Sequence, residues 1–502
     1  MNIKRAKDEI KNALRAYLSR DEFGAYRIPS IRQRPILLMG PPGVGKTQIM
    51  EQIADETGVG LVCYTITHHT RQSALGLPFI ERRTYDGREY AVTEYTMSEI
   101  IASVYEQMEQ TGVRQGILFL DEINCISETL APMMLQFLQR KMFGNQQLPE
   151  GWVVVAAGNP PEYNKSVRDF DVVTLDRVKR IDVEEDFGVW KEYAYRRGLH
   201  GAVLSYLEIR RDHFYRFEST ADGMQFATAR GWEDLSELIQ AYEALELPID
   251  RGVIEQYIQL PRIAADFANY LLLYEKYRRV YRVDELLDGT WERVRASELA
   301  AAPFDEKLGV MGLLLSRLSD TARESYRLDS LTDALHADLL EIRQSLPSET
   351  LPSLEQLAHA RQEALARRRA SGTTDRDALY LLSREAERLT AYRDTLAVLQ
   401  LTDAFARLKA LFDEDVQLRA AAAALAGSQL ENAFAFLDAA FGDSPEMVMF
   451  ATELTANFFT SWYIQNFGSE AYFAHNKRLL FDDTQRELLG RISEARRADN
   501  DL

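Results

Sequence analysis

The most constraining feature of the sequence is a glycine-rich loop between an apolar run and a helical pattern. Residues 35–39 are apolar and short enough for one buried strand, and residues 40–47 read Gly-Pro-Pro-Gly-Val-Gly-Lys-Thr. A strand, such a loop and a helix together predict a phosphate cradle, because backbone N–H groups and a helix N-terminus attract anions. The predicted phosphate-binding residues are Gly40, Pro41, Pro42, Gly43, Val44, Gly45, Lys46, Thr47 and Gln48.

Two side chains of this loop have predicted roles in chemistry. We expect Lys46 to reach the β- and γ-phosphates of a nucleotide, and the Thr47 hydroxyl to bind Mg²⁺. The loop therefore predicts a nucleotide site, and the rest of the chain must indicate how the nucleotide is used.

Composition limits the partners of such a site. A chain of 502 residues suffices for about two to four domains, and 46% hydrophobic with 27% charged residues is typical of a soluble globular protein. The net charge of −18 argues against a protein that holds nucleic acid mainly by its phosphates, so protein partners or small substrates fit better. Two cysteines argue against a disulfide framework, and no apolar run approaches a membrane span in length. We therefore expect a cytoplasmic protein without membrane contact.

An insertion interrupts the alternation of strands and helices after the loop. Residues 61–66 predict a second strand, and residues 79–95 contain two strand-like runs on either side of Asp86-Gly87. Asp-Gly between such runs is a strong hairpin signal. A helical pattern resumes near Met97. The sequence thus predicts a β-hairpin inserted into an α/β domain.

Two further predicted strands end in polar side chains. Residues 117–120 are apolar and run into Asp121 and Glu122, while residues 152–157 are followed by Gly158 and Asn159. A carboxylate at a strand end can hold the Mg²⁺ shell, and a second one can orient or deprotonate an attacking water. The amide of Asn159 could polarise the γ-phosphate or position water. Alternatively, solvated acids simply cap a strand.

The remaining sequence has mainly helical patterns. A short helix or turn bearing Arg177 and Arg180 precedes a strand at residues 181–183, and helical patterns at 188–217 and 231–246 predict a small all-α lid. From about residue 248 the pattern is helical throughout. Helix ends are predicted at Gly289, Gly372, Gly427, Gly442 and Gly468.

The predicted fold class is an α/β P-loop module, with a parallel sheet between helices, followed by the small all-α lid and a large all-α C-terminal region. The predicted domains are an αβα core at 1–186 with the hairpin insert 79–95, a helical lid at 187–250, a helical domain at 251–346, and an elongated helical or coiled-coil region with a terminal bundle at 347–502.

These features in this order resemble a known family. Residues 40–47, residues 117–122, Asn159, Arg177 and Arg230 resemble the Walker A, Walker B, sensor 1, arginine finger and sensor 2 of an AAA+ ATPase. The insert, the Gly-Leu-Pro that precedes it and the Ala-Ala-Gly-Asn-Pro run ending at Pro160 make residues 1 to about 250 similar to the MoxR-type branch.

The resemblance implies a role for each matched residue. Lys46 and Thr47 would bind phosphate and Mg²⁺, Asp121 the Mg²⁺ shell, Glu122 the attacking water and Asn159 the γ-phosphate. Arg230 would contact the nucleotide from the lid. Arg177 would reach the site of a neighbouring subunit, which implies an oligomer, by family habit a hexameric ring. Arg168 and Arg180 are rival candidates for this finger.

The first functional hypothesis is an ATPase with ATP and Mg²⁺ as cofactors. By resemblance it would remodel or mature a protein client, including metal insertion, with a von Willebrand factor A domain partner. The alternative is an ATP-driven nucleic-acid motor of a restriction or defence system, whose activity would rise with DNA and collapse with salt. A small-molecule P-loop kinase and a nucleotide switch without turnover are two further alternatives.

Overall fold

The computed structural model describes residues 1–68, 74, 76–128, 130–143, 146–163, 170–220, 223–344, 350–370, 376–398 and 404–476. The chain divides into two compact units. The described part of the first unit comprises Met1–Val189 and Thr228–Arg230, and the second unit contains the described residues of Trp190–Ala227, Gly231–Ala370 and Arg376–Leu502.

A parallel five-stranded sheet forms the centre of the first unit, with strands in the order β2-β5-β8-β1-β9. The strands of the unit are β1 (Ile36–Met39), β2 (Gly60–Thr65), β3 (Pro78–Tyr85), β4 (Arg88–Tyr95), β5 (Gly116–Asp121), β6 (Met142–Phe143), β7 (Gln146–Gln147), β8 (Trp152–Gly158) and β9 (Lys179–Asp182). Its helices are α1 (Ile3–Leu18), α2 (Lys46–Thr57), α3 (Glu99–Thr111), α4 (Ala131–Arg140) and α5 (Val172–Leu175). This architecture confirms the predicted parallel sheet between helices.

Sequence explains why β5 and β8 occupy the interior of the sheet. Every residue of β8 is buried, and β5 is buried up to its last residue, because both strands are continuous apolar runs rather than alternating ones. A strand covered on both faces requires such a run. The register pairs Met39 with Gly158 and Thr65 with Asp121. The carboxyl ends of β1, β2, β5 and β8 therefore meet at one edge, which we call the upper edge.

The predicted insertion is present as an antiparallel hairpin. Strands β3 and β4 pair from Pro78 opposite Tyr95 to Tyr85 opposite Arg88. All of β3 is exposed. The hairpin thus presents both of its faces to solvent within the described first unit.

The segment predicted as an all-α lid contains a hairpin, and this part of the prediction is wrong. Strands β10 (Arg216–Thr220) and β11 (Gly223–Ala227) pair antiparallel, and the rings of Phe217 and Phe226 stack across them at 5.7 Å. Each run has only five residues, too few to outweigh the helical pattern on either side.

Helices dominate the chain from residue 187 onward, as predicted. They are α6 (Phe187–Arg197), α7 (Gly201–Ile209), α8 (Ala229–Ala244), α9 (Arg251–Glu255), α10 (Pro261–Tyr281), α11 (Val283–Leu287), α12 (Arg293–Ala301), α13 (Phe304–Gln344), α14 (Thr350–Ala370), α15 (Arg376–Val398), α16 (Ala404–Phe441), α17 (Pro445–Ala456) and α18 (Phe458–Phe467). Leucines of α13, α14, α15 and α16 share one buried apolar cluster. No helix of the described ranges combines the length and the apolar character needed to cross a membrane.

One predicted helix end is wrong. Gly427 lies inside α16, where an added Cβ would be 2.5 Å from the hydroxyl oxygen of Tyr463. The glycine therefore allows close packing against Tyr463 and does not end the helix. The helix end predicted at Gly372 and the domain boundary at 346–347 lie outside the described residues. The four-part domain division stays a prediction.

Candidate nucleotide-binding site

The loop after β1 holds the Lys46 side chain within itself. Gly45, which precedes α2, has a left-handed backbone with φ of 93°, a conformation that favours glycine. The Lys46 Nζ donates hydrogen bonds to the carbonyl oxygens of Gly40 at 2.7 Å and Pro41 at 2.9 Å. Lys46 is only 8% exposed. Of the other predicted loop residues, Pro42, Gly43 and Val44 connect β1 to α2, and Gln48 lies in the first turn of α2.

Burial makes the charge of Lys46 unusually costly. The pKa of Lys46 is lowered to about 8, chiefly by desolvation; the charge of Arg230 also lowers it, whereas Asp121 and Glu122 raise it. A buried ammonium group gains free energy from any anion brought beside it. The loop therefore fits phosphate oxygens, which would stabilise the charged form of Lys46.

Two oxygen ligands suited to Mg²⁺ lie next to each other at the upper edge. The Thr47 hydroxyl donates a hydrogen bond to Asp121 Oδ2 at 3.0 Å. The described residues contain no group of three or more His, Cys, Asp or Glu side chains that could hold a metal. Magnesium is commonly held by one or two carboxylates together with substrate phosphates. Thr47 and Asp121 fit that kind of site.

Glu122 occupies an unusual backbone conformation directly after β5. Its φ is 56°, which costs a side-chain-bearing residue about 1–3 kcal/mol. Its amide donates to Asp121 Oδ1 at 2.9 Å, and its carboxylate accepts a hydrogen bond from the Thr67 hydroxyl at 3.1 Å. The Thr67 hydrogen bond therefore holds the carboxylate at the upper edge. The sequence interpretation did not identify Thr67.

Asn159 touches both the loop and a second asparagine. Its Oδ1 accepts a hydrogen bond from Lys46 Nζ at 2.9 Å. Asn124, which is 2% exposed, donates from Nδ2 to the Asn159 carbonyl at 2.7 Å and accepts from the Asn159 amide at 3.3 Å. Asn124 thus fixes the backbone of Asn159. The sequence interpretation missed Asn124, although it lies two residues after Glu122.

The described first unit also brings Arg230 close to the loop. An added Cβ on Gly43 would lie 3.4 Å from the Arg230 Cβ and 3.5 Å from the Thr228 Cβ. Arg230 is near enough to Lys46 to contribute to the lowering of its pKa. A second positive charge therefore accompanies Lys46, as expected where polyphosphate binds.

Comparison with known families agrees with this geometry. Residues 36–183 match the model of the family described as ATPase family associated with various cellular activities (AAA). These residues form an AAA ATPase domain. The matched range spans the sheet from β1 to β9 and includes Lys46, Thr47, Asp121, Glu122 and Asn159. Membership of this domain family supports nucleotide binding and ATP-hydrolysing activity in general.

Similarity to individual proteins is weak. A crystal structure of a candidate ATPase from Cytophaga hutchinsonii ATCC 33406 has 17% identity and a TM-score of 0.21, and the alignment covers 36% of this chain. The alignment spans 52% of the Cytophaga chain, about half its length, and it carries no argument about function. No curated protein matches the sequence significantly.

Within the AAA domain, Arg177 lies away from the cluster around Lys46. It precedes β9, and β9 runs parallel to β1 with Lys179 opposite Ile36, at the amino ends of both strands. Four residues of strand span about 13 Å. Arg177 is exposed and donates a hydrogen bond to Gln139. The structure therefore brings together every other predicted catalytic residue, but not Arg177.

Arg180 and Arg168 are the two other candidates for the arginine finger. Arg180 lies within β9, and its Nε donates to Asp182 Oδ1 at 2.8 Å. Arg168 lies outside the described residues.

Proposed function

We propose that this chain hydrolyses ATP in an oligomeric ring, at sites to which two subunits contribute. The observation that supports ATP hydrolysis most directly is that four side chains meet at the upper edge of one sheet: Lys46, Thr47, Asp121 and Glu122. Lys46 binds the phosphates, and Thr47 and Asp121 hold Mg²⁺, which would neutralise phosphate charge. Glu122 orients the attacking water and accepts its proton.

The position of Arg177 supports the contribution of a second subunit. Its exposed guanidinium lies beyond the amino end of β9, away from the Lys46 of its own chain. An arginine that stabilises transition-state charge can be supplied by another molecule. In a head-to-tail ring, each Arg177 would reach the Lys46 site of the next subunit. By family resemblance the ring is a hexamer.

Substitution Glu122→Gln tests the hydrolysis step. The amide keeps the size of the side chain but accepts no proton, so we expect turnover to fall about 100-fold or more while ATP binding is retained. Release of phosphate and binding of a fluorescent ATP analogue measure the two effects separately.

A matched control is Glu109→Gln, which makes the same change at an exposed position of α3. We expect this variant to keep the turnover of the unmodified chain. Equal turnover in Glu122→Gln and the unmodified chain would show that Glu122 has another role.

We propose that ATP hydrolysis drives the remodelling or maturation of a protein client, including metal insertion, in the manner of MoxR-type ATPases. Exposed aromatic side chains on the β3–β4 hairpin, Phe79, Tyr85 and Tyr90, support contact with a protein surface. The net charge of −18 argues against the alternative, a nucleic-acid motor.

A binding assay separates these two uses. We expect a von Willebrand factor A domain protein encoded beside this chain to co-purify with it in Mg²⁺, and to dissociate when a chelator removes the metal. ATPase activity that instead rises strongly with added DNA, and falls steeply with salt, would favour the motor.

A further inference from the structure

Two buried carboxyl groups and one arginine lie together among α13, α14 and α15 in the second unit. Arg361 of α14 donates from Nη2 to Asp338 Oδ1 of α13 at 2.6 Å, and from Nε to Glu385 Oε1 of α15 at 2.7 Å. The side chains of Asp338 and Glu385, which we call the carboxyl pair, are 2% and 5% exposed, whereas that of Arg361 is 33% exposed. One guanidinium therefore joins three helices through two buried acids.

The charges of this group do not balance when both carboxyls are ionised. Two carboxylates beside one guanidinium leave a negative charge without a partner, and burial makes such a charge costly. An ionised Glu385 also leaves the buried Oδ2 of Asp338 without a hydrogen-bond donor among the described residues. The Glu385 carboxyl lies within hydrogen-bonding reach of Asp338, so a protonated Glu385 would supply that donor and remove the excess charge.

The electrostatic surroundings of Glu385 favour its protonated form. The pKa of Glu385 is raised to about 7, chiefly by burial; the charge of Arg361 lowers it, while the hydrogen bond to Asp338 and the Asp338 charge raise it. Two carboxyls that share a site resist ionising together. The group therefore holds one proton more than two separate acids would hold near pH 6.

Other titratable side chains on the surrounding helices are engaged or exposed. On α15, Arg388 donates to Asp415 of α16 at 2.7 Å, and the Tyr392 hydroxyl donates to the same carboxylate. On α13, His336 stacks on a phenylalanine ring of α16, and on α14, His359 is exposed. The charges that act on Glu385 are thus those of Arg361 and its partner in the carboxyl pair.

We propose that the carboxyl pair shares one proton, and that loss of this proton as the pH rises weakens the attachment of α14 and α15 to α13. With the proton in place, Glu385 donates to Asp338, and the single negative charge of the pair is balanced by Arg361. Without it, two buried carboxylates repel each other across one guanidinium. This pH-sensitive contact lies within the second unit and does not depend on the proposed ATPase activity.

The direction of the pH effect follows from the raised pKa. When the three helices separate locally, Glu385 returns to an ordinary pKa of 4.5. Between pH 4.5 and about 7, the closed form therefore binds a proton that the open form does not. The equilibrium constant for local opening rises by up to about tenfold per pH unit in this range and is constant above it.

Amide hydrogen exchange of the full chain, measured by mass spectrometry on peptides from α14 and α15, tests the proposal. After correction for the intrinsic pH dependence of exchange, we expect protection of these helices to fall more than tenfold between pH 5 and 7. Between pH 8 and 9 we expect a change of less than twofold. Protection that is constant between pH 5 and 7 would overturn the proposal.

Matched variants assign the effect to the carboxyl pair. The Glu385→Gln amide can donate to Asp338 and accept from Arg361, as a protonated carboxyl does, so protection should vary less than twofold between pH 5 and 8. Asp338→Asn should also remove the fall, because one carboxylate then remains for the one guanidinium. Glu324→Gln, at an exposed position of α13, should behave like the unmodified chain. An undiminished fall in either variant of the pair would contradict the shared proton.

Discussion

Lys46 carries a positive charge although it is buried, and the loop offsets the free-energy cost of that burial only in part. Its Nζ is surrounded by two carbonyl oxygens and the amide oxygen of Asn159, which are dipoles rather than full charges. This environment leaves the pKa of Lys46 at about 8, chiefly because of burial. The group is therefore poised to gain from a phosphate.

A pH dependence of nucleotide binding follows from this pKa. Phosphate stabilises protonated Lys46, so its pKa is higher in the complex, and binding above about pH 8 requires uptake of a proton. We expect affinity for ATP to be constant below pH 7 and to fall by up to about tenfold per pH unit above 8. Titrations with a fluorescent ATP analogue between pH 7 and 9 measure this.

The matched variant is Lys46→Arg, whose guanidinium keeps its charge throughout this range. It should bind ATP more weakly, because the geometry differs, but its affinity should not vary between pH 7 and 9. An unmodified chain with pH-independent affinity would show that Lys46 does not titrate there.

Asn124 is a positioning residue, because it acts through the backbone of Asn159. We expect Asn124→Ala to lower kcat about tenfold while changing the Kd for ATP about twofold at most, since Asn159 loses its fixed position rather than its side chain. Asn432→Ala removes a comparable bond, to the Leu287 carbonyl in the second unit, and should leave kcat unchanged. A loss of kcat in both variants would indicate general destabilisation.

The sequence predicts the site residues that belong to recognisable motifs, but it does not predict the residues that support them. Lys46, Asp121 and Glu122 follow strands within a known spacing, whereas Thr67 and Asn124 are ordinary polar residues in loops. Their roles come from hydrogen bonds to Glu122 and Asn159, which depend on how the loops after β2 and β5 fold. No spacing rule encodes such contacts.

At the scale of elements, long periodic segments were predicted well and short or tightly packed ones were not. The apolar runs at β1, β5 and β8 predict buried strands, and they form strands in the structure. Hairpin β10–β11 was missed because each strand is short. The helix end predicted at Gly427 is wrong because this glycine packs against Tyr463, a residue far along the chain.

Gly427→Ala tests that contact. Helix propensity alone would favour alanine by about 1 kcal/mol. The new methyl group would instead displace the Tyr463 hydroxyl, which donates to the Ala423 carbonyl at 2.7 Å, and a buried unsatisfied group costs about 1–3 kcal/mol. We expect a lower urea midpoint than that of the unmodified chain. In a Tyr463→Phe background the same substitution should be neutral or stabilising, and a destabilisation of equal size there would contradict this explanation.

At the scale of the whole molecule, the two units differ in how far sequence accounts for them. The first unit contains the motifs, and its AAA domain at residues 36–183 agrees with the predicted fold class. The second unit is mainly helical as expected, but it contains a pocket whose walls come from three separate parts of the sequence, α6 with α7, α13 and α17. A cavity depends on what packing leaves unfilled, and helical periodicity does not predict it.

The central claim is that each ATP site takes Lys46 from one subunit and Arg177 from another. Lys46→Ala and Arg177→Ala should each abolish turnover alone. Mixed and reassembled, they should regain activity, because about one interface in four joins an intact Lys46 site to an intact Arg177. Mixing Lys46→Ala with Glu122→Gln should give no recovery, since both changes affect the same half of the site. If the first mixture forms mixed rings and stays as inactive as its components, the account of a shared site is wrong.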